Sequence, residues 1–154
     1  MKVTELNVLS YQDTVELFHS ETDRAAAVIA GSFLENYIGT FLRSFMVVDT
    51  EIDKLFDGFG VFSDFMKRIE SAYAFGFITK EHRNDLKFIR KIGNHFAHHP
   101  LEASFGKSPI IDWFSNLTTK DIYPLTNQQS DSKKENRLRC LVAISNLVVF
   151  FMTK

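Results

Sequence analysis

The stretch RNDLKFIRKIGNHFAHH, Arg83 to His99, puts two opposed surfaces on one helix. At the α-helical repeat, Leu86, Ile89, Ile92, Gly93 and Phe96 fall along one side. Arg83, Lys87, Arg90, Asn94 and His98 fall along the opposite side. The apolar stripe must be covered by other elements, so it faces a core. The cationic, hydrogen-bonding stripe leads into His95, His98 and His99, three of the five histidines in the chain. Pro100 stops the helix, because its ring clashes with a preceding residue in α-helical conformation. The stretch reads as the second half of one long helix, and any chemical site is expected on it.

Outward from this helix the pattern stays helical. Thr79 is placed to cap it. Upstream, DFMKRIESAYAF reads as a helix capped by Ser63 and ended by Gly76. Before it, EIDKLF forms a short helix capped by Asp49 or Thr50, and DGFG is a turn. The segment TDRAAAVIAGSFLENYIGTFLRSFMV has apolar residues over too wide an arc for one contact surface, so it is expected to be the central helix. Ser20 and Asp23 resemble a capping box that would start it near Glu21. Its Ala26, Ala27, Ala30 and Gly31 allow another helix to approach closely. Residues 4–18 give one more helix of weak phase.

Downstream, LEASFGK is a loop and Pro109 opens a helix in PIIDWFSNL. Residues 118–132 are polar and turn-rich, and are expected to be the most mobile part. A last helix runs from about Lys133 to Met152. Its second half is apolar nearly all round, which predicts burial in the core or in a dimer. No strand alternation is evident. The expected fold is all-α, a single-domain helical bundle of about six to seven helices spanning residues 1–154.

Composition narrows the function classes. The net charge of −1 gives no global field for nucleic acid. The charge is unevenly spread, with 7 Lys+Arg against 12 Asp+Glu in residues 1–80 and 11 against 7 in residues 81–154. That asymmetry predicts an acidic face meeting a basic one. A lone Cys140 makes no internal disulfide, which suits a reducing compartment, and its apolar helical setting predicts a buried, inert thiol. The N-terminus lacks a signal-peptide pattern, and the run Leu141–Met152 is too short to span a membrane. The protein reads as cytoplasmic, with no membrane partner.

Few chemical constellations survive inspection. His95 pairs with His98 or His99 at ligand spacing, but no third ligand is indicated, so no metal and no cofactor are expected. There is no GxSxG elbow, and Gly106-Lys107-Ser108 lacks the upstream glycine of a phosphate loop. Arg90, Asn94 and His98 lie on one face and supply a cation, an amide and an imidazole, a set that could serve RNA cleavage. The plainer reading is a structural ion pair at Arg90 and a local bond at Asn94. A helix–turn–helix around Gly76 is disfavoured. Its second helix is too long, is apolar on one side, and has its cations offset by Glu81 and Asp85. No catalytic residue is assigned. Arg83, Lys87, Arg90, Asn94, His95 and His98 are candidates for binding phosphate or another ligand.

Three blocks carry a family resemblance. They are ETDRAAAVIAGSFLENYIGTFL, LFDGFGVFSDFMKRIESAYAFGFITKEHRNDL and LKFIRKIGNHFAHHPLEASF. Together they resemble the mannitol operon repressor family, from about His19 to Leu117 and on into the last helix. The resemblance implies an all-helical, non-enzymatic cytoplasmic regulator linked to sugar-alcohol use. It also implies repression through a protein partner, such as a carrier of the sugar phosphotransferase system, since the family lacks a clear DNA-binding motif. Weak contacts with DNA or RNA stay open. A homodimer is expected from the apolar last helix and the 16 Phe.

The third block is also similar to the HEPN helical superfamily, many of whose members are dimeric RNases with an Arg-Asn…His motif. Asn94 and His98 match that motif, but Gly93 stands where it has Arg, and Arg90 lies one turn earlier. Asp23 and Arg24 match a paired acidic–basic element of the repressor family. They are expected to be structural, bridging to the Asn94–His98 helix end, with a ligand site as the alternative.

Overall fold

The computed structural model describes residues 8–118 and 132–152, and within these the ordered elements are helical, with no strand. They are α1 Val8–Ser20, α2 Asp23–Ser44, α3 Thr50–Asp53, α4 Phe65–Ala74, α5 Lys80–His98, α6 Ile110–Phe114 and α7 Ser132–Met152. A 3₁₀ turn, Lys54–Phe56, continues α3. Residues 4–7 of the first expected helix, and 119–131 of the polar stretch, lie outside the described residues.

Local chemistry sets the boundaries. Gly76 adopts φ 73°, a left-handed position that suits glycine, and there the chain leaves α4. Thr79 then caps α5, its hydroxyl oxygen accepting the His82 N–H at 3.2 Å. Arg83–His98 is therefore most of α5 rather than the second half of a longer helix. Two expected caps move by a residue or two. Thr22, not Ser20, caps α2, its oxygen 3.3 Å from the Ala25 N–H. The Ser20 hydroxyl instead donates to the Leu17 carbonyl at the end of α1. Asp64, not Ser63, caps α4, accepting the Lys67 N–H at 2.9 Å. Its carboxylate reaches that donor with a formal charge, which complements the helix N-terminus better than a hydroxyl does. Asp49 caps α3.

Helix α2 is central and packs against α1, α4, α5 and α7. It buries Ala26, Ala27 and Ala30 toward its start and Leu34, Ile38 and Leu42 further along. The apolar stripe of α5 is buried as its spacing requires, at Leu86, Ile89, Ile92, Gly93 and Phe96. Helix α7 adds Cys140, Ala143, Ile144, Leu147, Val148 and Phe151 to the same core. Its apolar half is thus taken up by this chain's own bundle, with Val149 left exposed. By length and a mean hydropathy of 1.3, α2 could cross a membrane, but its neighbours on several sides are other helices of the bundle.

Several charged side chains are buried among the described residues, and Arg68 is the most enclosed of them. Arg68 on α4 has no exposed surface. Its Nε donates to the Phe62 carbonyl at 2.7 Å and its Nη1 to the Glu35 carbonyl at 2.9 Å. The guanidinium lies 5.6 Å from the Phe56 ring centroid. Gly39 makes room for it, since a Cβ there would stand 2.9 Å from Nη1. Burial lowers the Arg68 pKa, and the nearby Glu35 and Asp64 charges oppose the shift. Arg68 therefore joins α4, α2 and the preceding loop. Arg68→Ala is expected to lower stability by about 3–5 kcal/mol, through the lost hydrogen bonds to the Phe62 and Glu35 carbonyls and the space left behind. A denaturant titration checks this by a lower midpoint at unchanged slope.

Candidate functional site

The cationic stripe of α5 divides into separate environments. At its start, Arg83 Nη2 lies 2.7 Å from Glu70 Oε2 on α4, and its guanidinium stands 4.7 Å from the Tyr73 ring centroid. Lys87 Nζ holds the other oxygen of the same carboxylate. These hydrogen bonds keep the Glu70 carboxyl below its ordinary pKa. Arg83 and Lys87 therefore tie α5 to α4.

One turn on, Arg90 and Asn94 line a cavity of about 260 Å³ between α2, α4 and α5. Ser32 and Glu35 face it from α2, and Asp64 from the N-terminus of α4. Val28, Phe65, Gly93 and Ala97 supply its apolar part. Among the described residues no ion pair joins Arg90 to Glu35. His98 is exposed and is not among the lining residues, so two members of the expected triad share a cavity and the third does not.

Gly93 explains the missing arginine in physical terms. A Cβ there would stand 3.2 Å from the Ala27 carbonyl oxygen and 3.9 Å from Gly31 Cα. This is the close crossing of α2 and α5 that the small residues of α2 anticipated. A side chain at this position would require the Ala27 carbonyl to give by a few tenths of an ångström.

His95 occupies another side of α5. Its ring meets Trp113 edge-on at 5.5 Å and lies 4.3 Å from the His99 ring. Lys91 Nζ sits 4.6 Å from the centroid of the same indole. Burial, and secondarily the His99 charge, lower the His95 pKa. Among the described residues no group of three or more His, Cys, Asp or Glu is placed to hold a metal ion. Cys140 is fully enclosed, and burial pushes its thiol pKa up to about 12, so it is no nucleophile.

Asp23 and Arg24 line a broader cleft with Pro100, Ser104, Lys133 and Arg137. Asp23 pairs with Arg137 at 3.0 Å and Lys133 at 3.3 Å. Arg137 also donates to the Phe18 and Glu21 carbonyls. The bridge from Asp23 thus runs to α7, not to the Asn94–His98 end of α5. Arg137 closes the junction of α1 and α2, so it is the stronger local partner. The sequence signal missed Glu70, Glu35 and Arg137, because each acts across a long gap in the chain.

Among the described residues the architecture is an all-helical bundle in which α5 packs against α2, α4, α6 and α7. Solved structures share it. A possible transcriptional regulator, YggD from Shigella flexneri, superposes with a TM-score of 0.75 at 17% identity, covering 96% of this chain and 99% of that one. The MtlR–HPr complex from Escherichia coli contains a chain matching with a TM-score of 0.74 at 17% identity, covering 91% and 96%. These likenesses concern the fold. No curated protein matches this sequence. The pattern of the mannitol repressor family matches residues 6–147, and the chain belongs to that family. It is a transcriptional regulator of the mannitol-operon repressor type.

Two outcomes follow from the geometry. Gly93→Arg is expected to destabilise the bundle by about 1–3 kcal/mol, read as a lower melting temperature, because it wedges α2 from α5. His95 gives a pH dependence. Its folded pKa lies below the ordinary value of 6.5, so the unfolded chain binds the proton first as pH falls. Stability contributed by neutral His95 is present above 6.5 and is lost as pH drops from there to the folded value. Thermal melts between about pH 5 and pH 8 should show the decline, and His95→Gln should flatten it.

Proposed function

We propose that this regulator works through contacts with proteins, without enzymatic activity and without a helix that reads DNA. The observation that carries the reading is the state of α5. Its apolar face is buried in the bundle, and two of its cations, Arg83 and Lys87, are engaged by Glu70. A recognition helix needs both a free face and free cations. The net charge of −1 adds no attraction for a phosphate backbone.

The exposed surface favours protein contact instead. Phe45 and Phe75 flank an apolar cleft of about 210 Å³, floored by Leu42, Phe62 and Phe77. Phe45 stacks on Phe77 at 4.4 Å while leaving half its surface open. Val47, Val48 and Phe59 are also exposed. Apolar and aromatic surface of this kind is what protein interfaces use. The partner class we assign is a carrier protein of the sugar phosphotransferase system. The similar Escherichia coli protein was solved in complex with HPr. We also read the protein as a cytoplasmic homodimer. On this reading Arg83, Lys87, Asp23 and Arg24 are structural, while Arg90 and Asn94 belong to a ligand cavity.

An RNase of Arg-Asn…His type is disfavoured, because Glu35 and Asp64 face Arg90 across the cavity and would repel a phosphate. Calorimetry and gel shift at two salt concentrations test the proposal. The expected result is binding of the carrier protein and no retention of operator-length DNA. Salt-steep DNA binding weakened by Arg90→Ala would overturn it, and so would shortening of a single-stranded RNA in the same samples. Sedimentation at micromolar concentration should give a dimer, and a monomer would remove that part of the reading.

A further inference from the structure

The loop between α3 and α4 presents a phenylalanine to solvent on a turn anchored from both sides. Phe56 and Phe62 are buried, with their ring centroids 5.2 Å apart. The Phe62 N–H donates to the Leu55 carbonyl at 2.8 Å, and the Gly60 N–H donates to the Asp57 carbonyl at 2.9 Å. Gly60 passes so close to Leu55 that a Cβ there would stand 2.3 Å from its carbonyl oxygen. Between these anchors Phe59 is fully exposed. Backbone bonds and buried neighbours close the turn, so the Phe59 ring is presented rather than used to hold it.

Two loops border the apolar cleft described above, one at Phe45 and Met46 and the other at Phe62. Val47 and Val48 continue the first loop outward, and Phe59 and Val61 lie on the second. Five of the twelve exposed large apolar side chains among the described residues fall in residues 45–61, so apolar exposure is concentrated at this end of the molecule. The charges between them are mostly of one sign. Asp49, Glu51, Asp53 and Asp57 stand in this segment against Lys54. Lys54 pairs with Glu51, and Arg43 of α2 pairs with Asp53 at 2.9 Å. The rim stays acidic after both pairs are formed.

The sign of the rim sorts the possible occupants. A phosphate backbone and an anionic lipid surface are repelled by it. A second copy seated about a two-fold axis would set the acidic rim against itself. A protein with cations around an apolar centre satisfies both parts of the face. We infer that this face docks a partner protein whose contact surface has an apolar centre ringed by lysine or arginine, with Val48 and Phe59 as the anchors. The inference rests on the protein-contact reading above and adds the face and the chemistry of the partner. A turn already formed before contact costs little ordering on binding.

Calorimetry with two peptides tests this. One is an amphipathic helical peptide of leucine and lysine, and the other has glutamate in place of lysine. Saturable binding of the lysine peptide alone is expected. Val48→Ser combined with Phe59→Ser should weaken it about tenfold or more. Helicity and melting temperature should be retained, since both side chains are fully exposed. Glu51→Lys on the rim should weaken it severalfold, whereas Leu101→Ser, at an exposed position beyond the end of α5, should leave it unchanged. No binding, equal binding of both peptides, or binding that survives the double substitution would overturn the inference. So would a dimer, or attachment to phosphatidylcholine or phosphatidylglycerol vesicles, that the double substitution abolishes, because each gives the face to another occupant. Carrier binding is measured on the same samples. Carrier binding beside a failed peptide titration would sink the docking face alone, whereas failure of both would sink the protein-contact reading as well.

Discussion

The absence of a side chain at Gly93, where a Cβ would stand 3.2 Å from the Ala27 carbonyl oxygen, lets α5 cross close to α2, the helix against which α1, α4 and α7 also pack. Two helices this close leave no space for side chains between them, so their large residues are directed to either side of the crossing. Leu86, Ile89 and Phe96 are buried along α5, and Leu34, Ile38 and Leu42 along α2, all within one core. On the other flank the same geometry opens the cavity bounded by α4. Gly93 lines that cavity together with Arg90, Asn94 and Glu35.

Electrostatics then fixes the outer helices. The acidic excess of residues 1–80 and the basic excess of residues 81–154 meet in identifiable pairs. Glu70 on α4 holds Arg83 and Lys87 on α5, and Asp23 on α2 holds Lys133 and Arg137 on α7. These groups are partly exposed, so each pair contributes little to stability. Their larger consequence is functional, since they withdraw cations that would otherwise form a basic face. Inside the bundle the charges behave differently. Arg68 and Asp85 are buried; Arg68 donates from Nε and Nη1 while its buried Nη2 finds no hydrogen-bond partner among the described residues, and Asp85 Oδ1 accepts both the Thr118 N–H and its hydroxyl. Burial raises the Asp85 pKa, and the Thr118 bonds act against that rise.

The candidate site was half legible in the chain. Arg90 and Asn94 are one helical turn apart on one element, so their common face follows from periodicity. Glu35 and Ser32 are on another helix far back in sequence, and nothing in their local context marks them. His98 shares the periodicity of Arg90 and Asn94, yet it is exposed and does not line the cavity. The caps show the same limit on a smaller scale. Neighbouring Ser63 and Asp64 are both good caps, and it is the Asp64 carboxylate that accepts the Lys67 N–H.

What the sequence by itself determined is whatever repeats along one helix or depends on near neighbours. That covers the all-α class, the buried stripe of α5, the breaks at Gly76 and Pro100, the small residues prepared for a close crossing, and the family blocks. The tertiary structure alone decided which charges are free. An ion pair such as Asp23–Arg137 joins residues more than a hundred positions apart, and only packing brings them together. The same holds for the fate of α7. Its apolar pattern fits a core or a dimer equally well, and burial against α2, α5 and α6 resolved how much of it this chain covers itself. Periodicity reports which way a side chain points, whereas its partner depends on how whole helices are placed.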